Sequence, residues 1–359
     1  MFTPQEMRNK NQSRRIRPYP DVEVLASYFL QAIDVDVRLP HEDEKNHPSL
    51  TGYKVYGIGS AQKFLRKISQ LGLRGVSVRL LDDPLSSLNE WPMYKSRWES
   101  ALLPLARDAR ELDLEMIVDP FSIALQESGQ WGLLDSDNHE NTLILIGELA
   151  QLVENSGAKG MITLGRIPQE VQVATKHSSN SFELYSFSNN NETSTAYAGN
   201  LNKTVTGQKI LPGNWEDMVF WSIMDIYHGS TFIITKPLEN YHITQITRNI
   251  VKDTYFVNKF LLEYSEKNDF YLNEFEINSI KNILENVDMF VEKSRSVRFG
   301  SYVVSGTTQL LASYADSQGI EIARKRIEEM WINSLVAAGV GSVIIDRGAV
   351  EYFTGSILR

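Results

Sequence analysis

Short apolar runs alternate along this chain with longer stretches whose apolar residues recur every three to four positions. The first run is AIDVDVRLPH, in which Ile33, Val35, Val37 and Leu39 alternate with polar residues until Pro40 stops it, the pattern of a strand. Over 60–72, Phe64, Leu65, Ile68 and Leu71 fall on one helical face, with Gly72 as a C-terminal stop. GVSVRLLDD predicts a second strand and LEMIVDP a third, ending in Asp119. Over 141–155, Leu145, Leu149, Leu152 and Val153 predict a helix with Gly157 just beyond it. GMITLG and FELYSFS (182–188) are the fourth and fifth strands, and 214–228 is again helical. The sixth strand is Phe232, Ile233 and Ile234 running into Thr235, Lys236 and Pro237. SYVVSG and SVIID supply the seventh and eighth. Eight strands with helices between them are the count for a (β/α)8 TIM barrel of the α/β class, though a doubly wound sheet has the same alternation.

Two stretches break this rhythm. The polar segment 189–213 has no apolar periodicity and is too long for an ordinary connection, which predicts a lid or a disordered loop. Between the sixth and seventh strands the chain is about twice as long as one barrel helix and its loops require. There, FVNKFLLEY and EINSIKNILENVDMFVEK both have helical spacing, so 251–297 is expected to be a helical insertion. The predicted organisation is an N-terminal arm over 1–30 and a barrel domain over 31–359.

Composition narrows the function classes. The 359 residues carry a formal net charge of −9, which argues against a nucleic-acid partner, and no cysteine, which removes disulfides, thiolate metal ligands and a cysteine nucleophile. No apolar run approaches membrane-spanning length, and the first twenty residues lack the apolar centre of a signal peptide, so a soluble, cytoplasmic protein without a membrane partner is expected. Six scattered histidines lack helical metal-ligand spacing and are expected at the surface or in packing. GIGSAQ (57–62) lacks the third glycine and the lysine of phosphate-loop fingerprints, and no nucleophile elbow supports Ser-His-Asp catalysis.

The candidate chemistry centres on Lys236. Pro237 cannot extend a sheet, so the lysine stands at the carboxyl end of an apolar strand, where parallel α/β proteins place their sites. An amine among apolar side chains loses hydration in its charged form, its pKa falls, and it can attack a carbonyl as a neutral nucleophile. The plainer alternative is a lysine that reaches out of a strand end to water.

From about Arg14 onward the chain resembles the porphobilinogen synthase (5-aminolevulinate dehydratase) family. RRIRPYP resembles its arginine-rich arm, DPFSIALQESGQWGLL its metal-binding loop, and ELYSFS its YSAK strand. LPGN resembles the DPAN turn, ITKPLENY the VKPALPY strand, YVVSG the YQVSGEY strand, and LVAAGVGSVIID the final helix and strand. That family joins two aminolevulinate molecules through two lysines. The resemblance implies that Lys236 is the second of these, that Ser188 stands in place of the first, and that Tyr185 is the tyrosine of the same motif. It puts Phe121, Ile123 and Trp131 at the three zinc-cysteine positions, so no metal and no other cofactor is expected. Asp119 matches an aspartate that carries a proton or orients an imine. Ser305 matches a serine that binds the substrate carboxylate, and Asp346 or Arg347 replaces its tyrosine partner. Gly165 and Arg166 replace the MMDGR segment, and Lys203 and Lys209 fall in the lid. The implied function is a metal-independent Schiff-base lyase or dehydratase acting on an amino-keto acid or similar small carbonyl compound in a specialised biosynthetic pathway. The alternative is an inactive barrel that serves as a binding or assembly partner. The arm implies a homo-oligomer, a dimer or larger.

Overall fold

The first strand alternates apolar and polar residues as a half-exposed surface strand would, yet it is buried on both faces. All eight residues of β1 (Phe29–Asp36) are buried. Phe29, Ile33 and Val35 pack outward against helices, whereas Leu30 and Ala32 belong to a separate cluster inside a barrel. The apparent polar positions, Asp34 and Asp36, are buried as well. The predicted alternation therefore separates lumen from outer layer, not core from solvent. Val37 and Leu39 lie past the strand end, and the strand begins three residues before Ala32.

The computed structural model describes residues 3–15, 21–47, 52–120, 139–163, 167–190, 213–236, 238–303 and 314–355. After β1 come β2 (Gly75–Leu81), β3 (Glu115–Asp119), β4 (Gly160–Thr163), β5 (Glu183–Ser186), β6 (Phe232–Thr235), β7 (Arg298–Tyr302) and β8 (Val343–Asp346). Each pairs in parallel with the next and β8 pairs with β1, closing an eight-stranded TIM barrel. At the carboxyl end of β1, on the edge that β8 leaves, a hairpin of Glu44–Asn46 and Lys54–Tyr56 adds on through Asp34 and Val35.

The helices are α1 (Pro4–Arg15), α2 (Ile58–Gln70), α3 (Trp91–Glu111), α4 (Glu140–Asn155), α5 (Pro168–Lys176), α6 (Trp215–His228) and α7 (Tyr241–Ile250). They continue with α8 (Thr254–Asn268), α9 (Glu274–Glu285), α10 (Val287–Ser294), α11 (Ile320–Ala338) and α12 (Ala349–Phe353). Gly72 and Gly157, the stops expected after α2 and α4, have φ of 70° and 85°, a left-handed conformation that glycine adopts without steric cost. Within the expected arm, residues 3–10 of α1 are exposed, while Val22, Val24, Ala26 and Tyr28 already pack against the outer core.

Helices α8, α9 and α10 form the insertion. Asp253 caps α8, its carboxylate accepting from the amides of Tyr255 and Phe256, and Asn273 with Glu276 makes a capping box at α9. Their apolar faces (Val257, Leu261, Ile280, Ile283, Phe290) bury against Met218, Phe220 and Ile223 of α6. The insertion thus thickens the outer wall beside α6 and forms a second core.

The lumen is closed below by charge. Glu115 accepts from Arg74 at 2.7 Å and from Lys159; Lys159 also lies 3.6 Å from Glu183, which pairs with Arg298. Phe232 lies under the Arg298 guanidinium, 4.0 Å away, and stacks on Tyr185 with ring centroids 4.2 Å apart. Above this floor sit Leu30, Ile117, Ile162, Ile234, Val343 and Ile345. Only the carboxyl end of the lumen is left for chemistry.

Candidate active site

Inward-facing positions at the carboxyl ends of the strands carry the polar groups. Asp34 on β1 is in register with Arg79 on β2, and Arg79 with Asp119 on β3, so three lumen positions on neighbouring strands alternate in charge. The Arg79 fork donates to both oxygens of Asp34, at 2.9 and 2.7 Å. Arg347, one residue past β8 and 5% exposed, donates to the same carboxylate at 2.8 Å. It also bonds the side chain of Tyr302 from β7. His47, beside the added hairpin, places its Nε2 3.2 Å from Asp34, and Lys45 on the hairpin donates to Asp36 at 2.8 Å. His47 is therefore a mouth residue, not the surface or packing histidine its sequence context suggests.

Burial alone would raise the pKa of Asp34. The charges of Arg79 and Arg347 and the bonds from His47 and Arg79 overcome that and hold it well below the usual carboxylate range. One carboxylate is thus shared by two guanidiniums, and Asp119, in register with Arg79, adds a second negative charge beside Lys236.

Lys236 follows β6 directly. It retains some exposure, yet its Nζ lies 5.6 Å from the ring centre of Phe187 and 5.3 Å from that of Tyr302. Burial pushes its pKa below the ordinary lysine value; Tyr302 and Asp119 pull it back up, and the charges of Arg79 and Arg347 add to the fall. The sequence supplies only the apolar part of this cause. Burial carries the fall: the two guanidiniums add to it by less than Tyr302 and Asp119 oppose it.

The structure brings together Lys236, Asp119 and Arg347, and adds Arg79, Asp34, His47 and Tyr302, which the sequence did not single out. Arg79 had a legible signal: it is the charged residue at an inward position of GVSVRLLDD. Three expected residues are turned elsewhere. Tyr185 belongs to the floor, where its hydroxyl donates to Glu183 at 2.7 Å. Ser188 is buried with Ser186, 3.2 Å away, and bonds Asp225 of α6. Ser186 shares that carboxylate, on the outer side of the barrel wall. Asp346 is an outward residue of β8 whose carboxylate accepts from the amide of Gly348 at 2.6 Å, before α12. Ser305, Lys203, Lys209, Phe121, Ile123, Trp131, Gly165 and Arg166 lie outside the described residues.

Burial pushes Asp346 up to about 7, against the Gly348 bond, and Asp225 rises to about 7 for the same first reason. A carboxyl group whose folded pKa lies above its unfolded value of about 3.9 binds more protons in the folded chain. Stability then falls as pH rises from about 4 to about 7. Asp346→Asn is expected to flatten this slope, gaining on the order of 1–3 kcal/mol at pH 8 relative to pH 4.5. Urea unfolding of both proteins at the two pH values checks it, and parallel pH profiles would contradict it.

These features define an eight-stranded α/β barrel with a lysine, a carboxylate and an arginine-rich cluster at the carboxyl mouth. Its fold is similar to that of δ-aminolevulinic acid dehydratase (porphobilinogen synthase) from Toxoplasma gondii, solved with its product porphobilinogen. The TM-score is 0.70, over 99% of this chain and 91% of that one, at 14% identity. Deoxyribose phosphate aldolase from Aeropyrum pernix aligns over 92% of this chain and 89% of its own at 12% identity, with a TM-score of 0.38. No family model and no curated protein matches the sequence.

Proposed function

We propose that the chain is an enzyme that acts through an imine formed on Lys236 with a small, negatively charged carbonyl compound, an amino-keto acid or a near relative. The observation that carries this reading is the position of Lys236 at the lumen mouth, its amine near two aromatic rings and buried so that protonation is disfavoured, a fall that Arg79 and Arg347 add to and Tyr302 and Asp119 oppose. The likeness in fold to a dehydratase that yields porphobilinogen supports the substrate class. Asp119, whose charge acts on Lys236, is assigned the role of taking and returning the proton that moves during addition. Arg79 and Arg347 would hold an anionic substituent through their planar forks, whose geometry matches a carboxylate. The proposed chemistry draws on these side chains and requires no metal.

The test is reductive trapping. Purified protein is incubated with 4-oxopentanoate, pyruvate or 5-aminolevulinate and cyanoborohydride, and its intact mass is read. One reduced ligand per chain supports the proposal. Absence of any adduct across the carbonyl compounds tried would favour a barrel retained for binding or assembly. Conversion of 5-aminolevulinate to porphobilinogen is expected to be absent or far slower than about one turnover per second. The position that resembles the first family lysine is Ser188, which has no amine and bonds Asp225 instead. Turnover at ordinary enzymatic rates would contradict this.

A further inference from the structure

The fifth strand carries an extra residue where it passes Lys236. Tyr185 pairs with Phe232 and Ser186 with Ile233, and that register, continued, would set Asn189 opposite Lys236. Instead Asn190 is the bridge partner of Lys236. The Asn190 amide turns back to donate to the Ser188 carbonyl at 2.9 Å, and Lys236 N donates to the Asn189 carbonyl at 2.8 Å. Asn189 is the inserted residue, and its side chain is held by Thr235 at 3.1 Å. Bulges of this kind re-aim a side chain. In the unbroken alternation position 190 would share the outward face of Leu184 and Ser186; as register partner of Lys236 it shares the lumen face, on strands about 4.8 Å apart.

Asn190 has no exposed surface, and neither its Nδ2 nor its Oδ1 has a hydrogen-bond partner among the described residues. A buried amide left so has lost its hydration without a bond in return, and here both ends of the amide are in that state beside Lys236. We infer that Asn190 is a substrate-contacting residue that binds the oxygen of the carbonyl group attacked by Lys236, and that the bulge exists to place it there.

This rests on the imine reading of Lys236 and assigns the group that handles the oxygen. The lone pair of neutral Lys236 Nζ forms the C–N bond while the carbonyl π pair moves to oxygen, which bears developing negative charge. Asn190 Nδ2–H donates to it. A proton passing from nitrogen to oxygen gives the carbinolamine, whose hydroxyl donates to Asn190 Oδ1. Loss of that oxygen as water, carrying both former amine protons, leaves the imine. The ligand class is therefore an aldehyde or ketone, whose oxygen first accepts and then donates. An amine or alcohol lacks the carbonyl.

The test uses the full chain, 4-oxopentanoate and pyruvate with cyanoborohydride, and the variant Asn190→Leu. With the donor gone, adduct formation at Lys236 is expected to slow about 100-fold or more. Thermal stability should stay level or rise, since no hydrogen bond is lost. The pH at which Lys236 becomes reactive to acylation should not move, since Asn190 acts on the substrate oxygen and not on the amine. Trapping by the variant within about threefold of the wild-type rate overturns the role of Asn190 and leaves the Lys236 reading intact. A variant that fails to fold shows a structural role and overturns the inference equally. If wild-type protein forms no adduct, the Lys236 reading falls and Asn190 falls with it.

Discussion

Lys236→Met is expected to abolish the reduced adduct while leaving the melting temperature level or higher. Methionine keeps most of the apolar stem that passes Phe187 and Tyr302 and removes an ammonium that burial disfavours. The pH dependence should change in a defined direction. Lys236 has a folded pKa below its unfolded value of about 10.4, so between the two the unfolded chain binds more protons and wild-type stability rises with pH. The methionine variant lacks that rise. Intact mass after reduction and urea unfolding between pH 7 and pH 10 provide both readouts. A variant that still traps carbonyl compounds, or that unfolds, would show that the lysine is a structural group.

Asp34→Ala should be the most damaging single substitution at the mouth. It removes the carboxylate on which Arg79 converges at 2.9 and 2.7 Å and Arg347 at 2.8 Å, leaving two guanidiniums with their shared counter-charge gone. Removing one partner of a buried charged network typically costs about 3–5 kcal/mol. Because the folded pKa of Asp34 is depressed, its contribution is present above the unfolded value of about 3.9 and fades as pH falls through the folded one. The cost of the substitution should therefore be full at pH 7 and shrink in strong acid. Arg347→Met introduced beside it should recover part of the loss, because it removes one of the stranded charges. Chemical denaturation checks the series. A cost below about 1 kcal/mol for Asp34→Ala would mean that water or other groups already compensate the arginines.

The eight strands were legible because each is a short apolar run, but burial on both faces suits a doubly wound sheet as well, so closure rested on the family resemblance and is seen in the pairing of β8 with β1. The direction of individual polar side chains was not legible. Asp34 and Asp119 alternate into the lumen with their strands, but Asp346 falls on the other parity of β8 and accepts from the Gly348 amide in the turn before α12. Ser188 keeps the outward parity of Ser186 and meets Asp225, whereas Asn190 follows the inserted Asn189 and has its alternation reset, and no property of the sequence ELYSFSNN announces that bulge. Tyr185 has the inward parity but stands too low. A position along the strand separates floor from mouth, and a residue pattern carries the face more clearly than the height. Arg79 shows the converse case. Its inward parity could be counted from Val76, Val78 and Leu80, which pack outward, yet a charged residue inside a strand draws attention only when its counter-ion on the neighbouring strand is known.

The helical insertion shows which tertiary fact the periodicity withheld. Its spacing identified helices, but only the burial of Val257, Leu261 and Ile283 against the α6 side chains puts it on the outer wall beside α6.

The account turns on the protonation of one amine. Competitive acylation with a trace of acetic anhydride between pH 6 and pH 11, read peptide by peptide by mass spectrometry, reports the pH at which each lysine becomes nucleophilic. Lys236 is expected to become reactive at a pH clearly below that of the exposed lysines in the same protein. Its midpoint should rise toward theirs in Arg79→Met and Arg347→Met, which remove the neighbouring charges that lower it. A Lys236 that titrates together with the surface lysines, near the ordinary value of about 10.4 or above it, would contradict the claim that this barrel mouth prepares the amine for attack on a carbonyl group.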